Sequence, residues 1–139
     1  MQLKYKKLHE EAKTPIMAHS NDSGFDVFSI EKIVLFGNTP QKIKIGLAFE
    51  LPSNTELQVR PKSGLSSKGF IVVLGTVDEG YRGEVEVIAY NNSNIPFTIE
   101  KGQKIAQLVL MPVLRPELVE VQELSESTRG FNGFGSTGL

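Results

Sequence analysis

Residues 60–65 combine side chains that can hold a phosphorylated ligand. A lysine, a serine and a glycine follow Pro61 in this segment, and proline is excluded from a regular central strand. The sequence therefore predicts that a strand ends here and leads through a turn into one helical turn over residues 65–68. The free N–H groups of such a turn suit a phosphate, Lys62 would supply positive charge, and Ser63 would supply a hydroxyl group. The alternative is an ordinary turn with solvated lysines.

Residues 74–83 are rich in glycine and contain Asp78 and Tyr81. We predict that they form a loop between two strands, at residues 69–74 and 83–89. A carboxylate in such a loop can activate a water for attack on a phosphorus atom, the tyrosine ring can pack against a sugar, and backbone groups can bind a pyrimidine edge. The alternative is an Asp/Gly turn with an exposed tyrosine.

Residues 129–139, at the end of the chain, alternate glycine with an arginine, two phenylalanines, a serine and a threonine. Such a segment cannot bury enough surface to order itself. Glycines nevertheless let N–H groups approach an anion, a guanidinium matches a phosphate, and an aromatic ring offers a face for a base. The composition indicates either a tail that closes over a phosphorylated, ring-bearing ligand or a disordered Gly/Ser end. Because the composition changes near Ser125, we expect a barrel domain over residues 1–124 and an arm over residues 125–139.

Other polar residues are weaker candidates. Asp22 and Asp26 are four residues apart in a glycine-containing segment, which is more typical of a turn than of an acid–base pair. Gln107 stands where a strand would otherwise carry an apolar residue, which indicates a ligand contact. His9 and His19 are expected to face solvent, and two histidines do not make a metal site.

The elements that must position these residues are β-strands. Polar and apolar residues alternate at 42–45, 56–60 and 83–87, which is the period of a strand. Clusters of Gly, Pro, Asn and Ser separate these segments, and none has the pattern of a long amphipathic helix. The sequence therefore predicts an all-β fold, either a barrel or a double sheet.

Composition narrows the class of protein further. The chain has 139 residues, 40% of them hydrophobic, and a net charge of −1. This suits one domain with a real core and argues against general nucleic-acid binding. With no cysteine in the chain, disulfides, thiol catalysis and thiolate metal sites are excluded. The N-terminal sequence lacks the apolar segment of a signal peptide and no apolar run is long enough to span a bilayer, so a cytosolic protein is expected.

Taken together and in this order, the segments resemble the five motifs of the trimeric deoxyuridine triphosphate nucleotidohydrolases, the dUTPases. Any one motif is weakly specific, but five in register over about residues 15–139, including the Gly-Phe-Gly-Ser-Thr-Gly tail, are highly specific. They lie at residues 23–26, 60–65, 75–84, 101–108 and 129–138. Three departures are Lys62, where family members usually carry arginine, Val72, where they often carry asparagine, and the first motif. That motif usually reads Ser-Ala-Gly-Tyr-Asp and here reads Asp22-Ser23-Gly24-Phe25-Asp26.

The resemblance implies a jelly-roll-like distorted β-barrel with a flexible C-terminal arm, assembled as a homotrimer with active sites shared between subunits. It implies hydrolysis of dUTP to dUMP and pyrophosphate, which limits uracil incorporation into DNA and supplies dUMP for dTMP synthesis. It also implies Mg²⁺ held mainly by the triphosphate and water, with no direct nucleic-acid or membrane partner. The implied location is the cytoplasm, or the host cytoplasm or nucleus if the protein is viral.

The resemblance also assigns roles to residues. Asp78 would orient and activate the attacking water, and Tyr81 would pack against the deoxyribose and leave no room for a 2′-hydroxyl. Phe134 would stack over the base. The remaining substrate-binding residues would be Gly75, Thr76 and Val77 for uracil, Lys62, Ser63, Gly64 and Gln107 for the phosphates, and Arg129, Gly135, Ser136 and Thr137 in the arm.

Two other functions remain open. A deoxycytidine triphosphate deaminase shares the fold but needs a carboxylate base suited to amine hydrolysis and usually lacks the glycine-rich arm, so the intact arm argues against it. A non-catalytic regulatory module on the same fold is disfavoured because Asp78, Tyr81, Gln107 and the tail are all retained.

Overall fold

The computed structural model describes residues 1–138 and is almost entirely β. Leu139, the last residue of the predicted arm, lies outside the described residues. The elements, in chain order, are β1 (Lys4–Lys7), β2 (Phe25–Phe28), β3 (Ile33–Leu35), β4 (Gln41–Glu50), β5 (Thr55–Arg60), α1 (Ser63–Ser66), β6 (Phe70–Val72), β7 (Gly75–Val77), β8 (Val85–Asn91), β9 (Phe97–Ile99) and β10 (Lys104–Pro112).

The strands form three antiparallel sheets. One has the order β1-β4-β8-β6, the second has the order β2-β10-β5-β7, and a small third pairs β3 with β9. The core cluster draws fully buried side chains from all three sheets, including Ile43, Val87, Leu57, Leu108 and Ile99. The predicted all-β, jelly-roll-like fold is confirmed.

Burial follows the predicted period of two. Buried and partly buried residues alternate strictly along β5, and buried residues recur at every second position of β8. The apolar residues at these alternate positions of β5 and β8 face the core, where burying one large apolar side chain contributes about 1.5–3 kcal/mol. This alternation also specifies the register of strand pairing, because a slip by one residue would turn the core-facing side chains outward.

The predicted helical turn is present but begins earlier than expected. Strand β5 ends at Arg60, directly before Pro61, and α1 then spans Ser63–Ser66. Lys62 is extended and caps the helix, and its carbonyl accepts hydrogen bonds from the N–H groups of Leu65 and Ser66 at 3.0 and 2.9 Å. The helical turn begins before residue 65 because the Lys62 carbonyl, directly after Pro61, already accepts these two hydrogen bonds.

The predicted pair of strands at residues 69–74 and 83–89 is wrong in one respect. Strands β6 and β8 do pair, with Val72 opposite Ala89, but β7 intervenes and pairs with β5 of the other sheet. The chain leaves the first sheet after Val72 because Val77 buries its side chain opposite Leu57 in the second. The loop that carries Asp78 therefore connects the two sheets and is not a hairpin tip within one of them.

The C-terminal part of the described chain has no regular structure. The last strand ends at Pro112, and no helix or strand is assigned from residue 113 to residue 138. Residues 114–138 are exposed, apart from half-buried Gly133. Within residues 1–138, no helix has the length and apolar character needed to cross a membrane.

Candidate active site

The first group of predicted residues lies around the end of β5. Lys62 caps α1, and Ser63 and Gly64 open it with exposed backbone. Gln107 of β10 lies opposite Arg60 and donates a hydrogen bond from Nε2 to the Pro61 carbonyl at 3.0 Å. Of the four residues predicted to bind phosphates, Lys62 and Gln107 line one polar depression. The other two, Ser63 and Gly64, follow Lys62 directly at the start of α1.

Asp26 lies in this depression and pairs with two lysines, although its spacing from Asp22 predicted a turn. It lies within β2, opposite Gln107 of β10, and is buried. Its two carboxylate oxygens are ion-paired separately, one with Lys62 and the other with Lys104 Nζ at 3.0 Å. Burial raises the pKa of the Asp26 carboxyl, but the hydrogen bonds from both lysines outweigh burial and leave this pKa below its usual range.

The prediction of site residues did not include Asp26 and Lys104. The cluster they form with Lys62 has two ammonium groups for one carboxylate, which leaves a net positive charge beside the start of α1. Such a charge suits an anionic ligand. Two features of the sequence could have indicated these residues. Asp26 lies between residues typical of a strand, and Lys104 lies at the start of the strand in the fourth motif.

A close backbone approach holds β2 against β10 at this point. A Cβ atom on Gly24 would lie 2.7 Å from the Leu108 carbonyl oxygen and 3.3 Å from Gln107 Oε1. No side chain therefore fits at residue 24 without moving the strand that carries Gln107. The close approach of β10 thus explains why residue 24 in the first motif is a glycine.

The second group lies at a separate depression beside β7. Asp78 follows the strand directly and is exposed, and the depression is lined by residues that include Gly75, Thr76, Val77 and Tyr81. Strand β7 is the last in its sheet and pairs only with β5. One side of its backbone is therefore available to bind a ligand edge.

Tyr81 is held in a defined position within this loop. Its N–H donates to the Asp78 carbonyl and its hydroxyl donates to the Glu84 carbonyl, both at 3.0 Å. The ring folds back over Gly83, where an added Cβ would overlap the Tyr81 hydroxyl. Because Gly83 has no side chain, the Tyr81 ring can lie at the side of the depression.

The two depressions have no lining residue in common. The arm residues form a third group that does not join either of them. Phe134 is fully exposed, Arg129 donates to the carbonyl of Asn132 at 2.7 Å, and the backbone of residues 129–138 forms turns. Arg129, Gly135, Ser136 and Thr137 are also exposed. A single chain therefore carries three separate sets of functional groups.

The oxygen and nitrogen donors of the chain bear on how a metal ion could be held. Residues 1–138 contain no group of three or more His, Asp or Glu side chains arranged to hold a metal ion. A hard cation that takes its ligands chiefly from phosphate oxygens and water does not require such a group.

Comparison with known proteins shows extensive similarity. A family model described as dUTPase matches residues 10–138. The deoxyuridine 5′-triphosphate nucleotidohydrolase of Gloeothece citriformis is 51% identical over 142 residues, covering 100% of this chain and 98% of the relative. The enzyme of the same name from Clostridium acetobutylicum is 51% identical over 140 residues, covering 99% of this chain and 97% of that relative.

Solved structures agree with the sequence relatives. The dUTPase of Staphylococcus bacteriophage 80alpha with dUpNHpp superposes with a TM-score of 0.93 at 32% identity and covers 99% of both chains. A mutant dUTPase of phage phi11 of S. aureus, described with a structural Mg(II) ion, has a TM-score of 0.86 at 28% identity and covers 91% of this chain and all of the other. With a family model over most of its length and full-length relatives that share half of its residues, the chain belongs to the dUTPase family.

Proposed function

We propose that this protein hydrolyses dUTP to dUMP and pyrophosphate in active sites shared between the subunits of a homotrimer. The observation that carries the proposal is the placement of Asp78, which is exposed at the end of β7 and lines the same depression as Tyr81. Membership of the dUTPase family supports the same substrate and reaction. It disfavours both the deaminase and the non-catalytic module.

Asp78 would act as the general base. Its carboxylate would accept a proton from a water molecule whose oxygen attacks the α-phosphorus in line with the leaving group. The new bond joins this oxygen to the α-phosphorus, and the bond from the α-phosphorus to the bridging oxygen breaks. Pyrophosphate leaves with the electron pair of the broken bond, and dUMP remains.

Base and sugar would be bound beside the same loop. Because β7 pairs with β5 on one side only, the backbone N–H and C=O groups of Gly75, Thr76 and Val77 on its open side would pair with the uracil edge. The Tyr81 ring would lie against the deoxyribose, held there by its hydrogen bond to the Glu84 carbonyl. A 2′-hydroxyl would then clash with the ring or lose its hydrogen-bond partners.

The triphosphate would be bound by the first depression. The N–H groups at the start of α1, the Ser63 hydroxyl, Gln107 and the Lys62 ammonium would contact phosphate oxygens. Lys62 is paired with Asp26, and its flexible stem allows the ammonium to turn toward the substrate while Lys104 stays on the carboxylate. A lysine binds phosphate as a point charge and lacks the bidentate fork of arginine.

Subunit sharing would bring the three groups together. One chain would offer the phosphate depression, a second the Asp78 loop, and a third the arm over residues 125–139, which adjoins the barrel domain over residues 1–124. The separation of the two depressions and the exposure of Phe134 in a single chain support this arrangement. Phe134 would stack on the base, and Arg129, Gly135, Ser136 and Thr137 would close over the phosphates. Magnesium, bound to the phosphates and water, would neutralise their charge and favour one orientation of the chain of phosphates.

The test is pyrophosphate release from each deoxynucleoside triphosphate and from UTP. We expect turnover of dUTP alone among them, and Asp78→Asn should lower kcat by about 10²–10⁴-fold while dUTP still binds. The control is Glu100→Gln, which removes an exposed carboxylate paired with Lys32. More than a tenth of the parent rate in Asp78→Asn would refute the role of Asp78. Ammonia release from dCTP would instead favour the deaminase.

A further inference from the structure

One hydrogen-bonded cluster joins the Asp78 loop to the point where the chain leaves the barrel. Glu79 Oε2 accepts a hydrogen bond from Arg115 Nη2 at 2.8 Å and another from the Asn54 backbone N–H at 3.0 Å. The second guanidinium nitrogen, Arg115 Nη1, donates to Asn54 Oδ1 at 2.8 Å. We call Glu79, Arg115 and Asn54 the Glu79–Arg115 clamp.

The clamp connects three segments that are distant in sequence. Asn54 lies in the turn between β4 and β5, where it adopts a positive φ of 62°, a conformation that asparagine tolerates. Its carbonyl accepts a further hydrogen bond from the Val113 N–H at 2.9 Å, one residue beyond the end of β10. Arg115 is therefore anchored two residues later, where the irregular C-terminal segment begins.

The clamp also holds the loop that contains Asp78. Glu79 is the next residue, and its carbonyl accepts a hydrogen bond from Arg82 Nη1 at 2.7 Å. On the other side, Val77 is paired with Leu57 in the sheet. The backbone on both sides of Asp78 is thus restrained, by the sheet before it and by the clamp after it.

The clamp contributes more to position than to stability. The Arg115 side chain is 53% exposed and that of Glu79 is 32% exposed, and ion pairs open to solvent contribute little to folding. The Asn54 N–H and the Arg115 guanidinium lower the pKa of Glu79, so the pair is charged at neutral pH. Removing one partner should leave the barrel folded but free the loop.

We infer that Glu79 and Arg115 are positioning residues of the hydrolase, which hold the Asp78 loop and the start of the C-terminal segment in one rigid unit. This inference rests on the proposed function. Neither residue needs to touch the substrate, because a displacement of about 1 Å in a reacting group is enough to lower a rate strongly. The effect is therefore expected on kcat and not on KM.

The experiment compares Arg115→Ala, Glu79→Ala and the double variant with Lys32→Ala, which removes another exposed ion pair, that with Glu100. We expect kcat for dUTP to fall about tenfold in each single variant with KM within about twofold of the parent. The double variant should fall no further than the lower of the two, because one unit is broken in each case. Arg115→Lys should recover part of the rate, and Lys32→Ala should match the parent.

A second readout is independent of activity. Amide hydrogen exchange of residues 78–82, followed by mass spectrometry, should be faster in Arg115→Ala than in the parent and unchanged in Lys32→Ala. A kcat for Arg115→Ala within twofold of the parent, or unchanged exchange in this loop, would overturn the inference. A parent that releases no pyrophosphate from dUTP would refute the proposed function, while the exchange measurement would still decide whether the clamp restrains the loop.

Discussion

Asp26 shows how one buried carboxylate can organise a cationic site. It is paired with lysines 36 residues later and at the start of β10, and these two partners keep its pKa below the ordinary value despite burial. A carboxyl whose pKa is lower in the folded state than in the unfolded state stabilises the fold above the unfolded pKa of about 4. This stabilisation is lost as the pH falls through the lower, folded-state pKa.

We therefore expect Asp26→Asn to change how stability depends on pH. The variant should be about 1–3 kcal/mol less stable than the parent at pH 7, and the two should converge as the pH falls through the lowered, folded-state pKa of Asp26. Thermal unfolding between pH 7 and pH 2.5 would measure this difference. Lys104→Met should change the curve in the same direction, because it removes one of the two hydrogen bonds to Asp26. Parallel curves for parent and Asp26→Asn would contradict the linkage.

Tyr81 and Gly83 give a second prediction at the scale of single residues. Tyr81→Ala should narrow the preference for dUTP over UTP, mainly because kcat/KM for dUTP falls. A fall of about tenfold corresponds to a loss of about 1.4 kcal/mol of transition-state stabilisation. Gly83→Ala should act in the same direction, because the new methyl group would displace the Tyr81 hydroxyl. Tyr81→Phe keeps the ring but loses the hydrogen bond to the Glu84 carbonyl, so it should change this preference less than Tyr81→Ala. An unchanged ratio of the two kcat/KM values in Tyr81→Ala would exclude Tyr81 from the sugar site.

At the scale of elements, we expect the fold to depend least on the C-terminal arm. Removing residues 129–139 should leave a folded protein with a nearly unchanged thermal midpoint, because the described residues of this segment are exposed, apart from half-buried Gly133. The truncated protein should turn over dUTP poorly, since closing segments exclude water and add donors around a ligand. Turnover equal to that of the intact chain would identify the segment as an ordinary disordered end.

Arm closure can be observed directly. The chain has no tryptophan, so Phe134→Trp introduces a single indole at a position that is fully exposed in the isolated chain. Its emission should change when dUpNHpp and magnesium are added, because stacking on a base alters the surroundings of the ring. An active Phe134→Trp enzyme with constant emission at saturating analogue would show that the arm does not stack on the base.

At the scale of the whole molecule, the separation of functional groups predicts complementation. Asp78→Asn chains and chains without residues 129–139 should each be nearly inactive alone. A refolded one-to-one mixture should regain activity at about a quarter of its sites, because each site needs an intact loop from one chain and an intact arm from another. Light scattering at micromolar concentration should show a trimer. A monomer, or a mixture as inactive as its components, would rule out sites shared in this way.

Features that depend on local chemistry could be predicted from the sequence. Alternation at residues 56–60 predicted β5 because side chains of a strand point to opposite faces at every step, and Pro61 predicted its end because proline lacks the N–H that a sheet needs. The order of the five motifs identified the family. These properties are written into neighbouring residues and need no knowledge of distant ones.

Contacts between residues that are distant in sequence could not be predicted and became known from the folded chain. The pairing of Asp26 with Lys62, the crossing of β7 to β5, and the contact of Glu79 with Arg115 all join segments that are 16 or more residues apart. Local periodicity indicates that a strand forms but not which strand it pairs with, because pairing is chosen by the burial of the whole set of apolar faces. For the same reason, the sequence could name Lys62 and Asp78 as site residues, whereas only the folded chain placed them in two separate depressions.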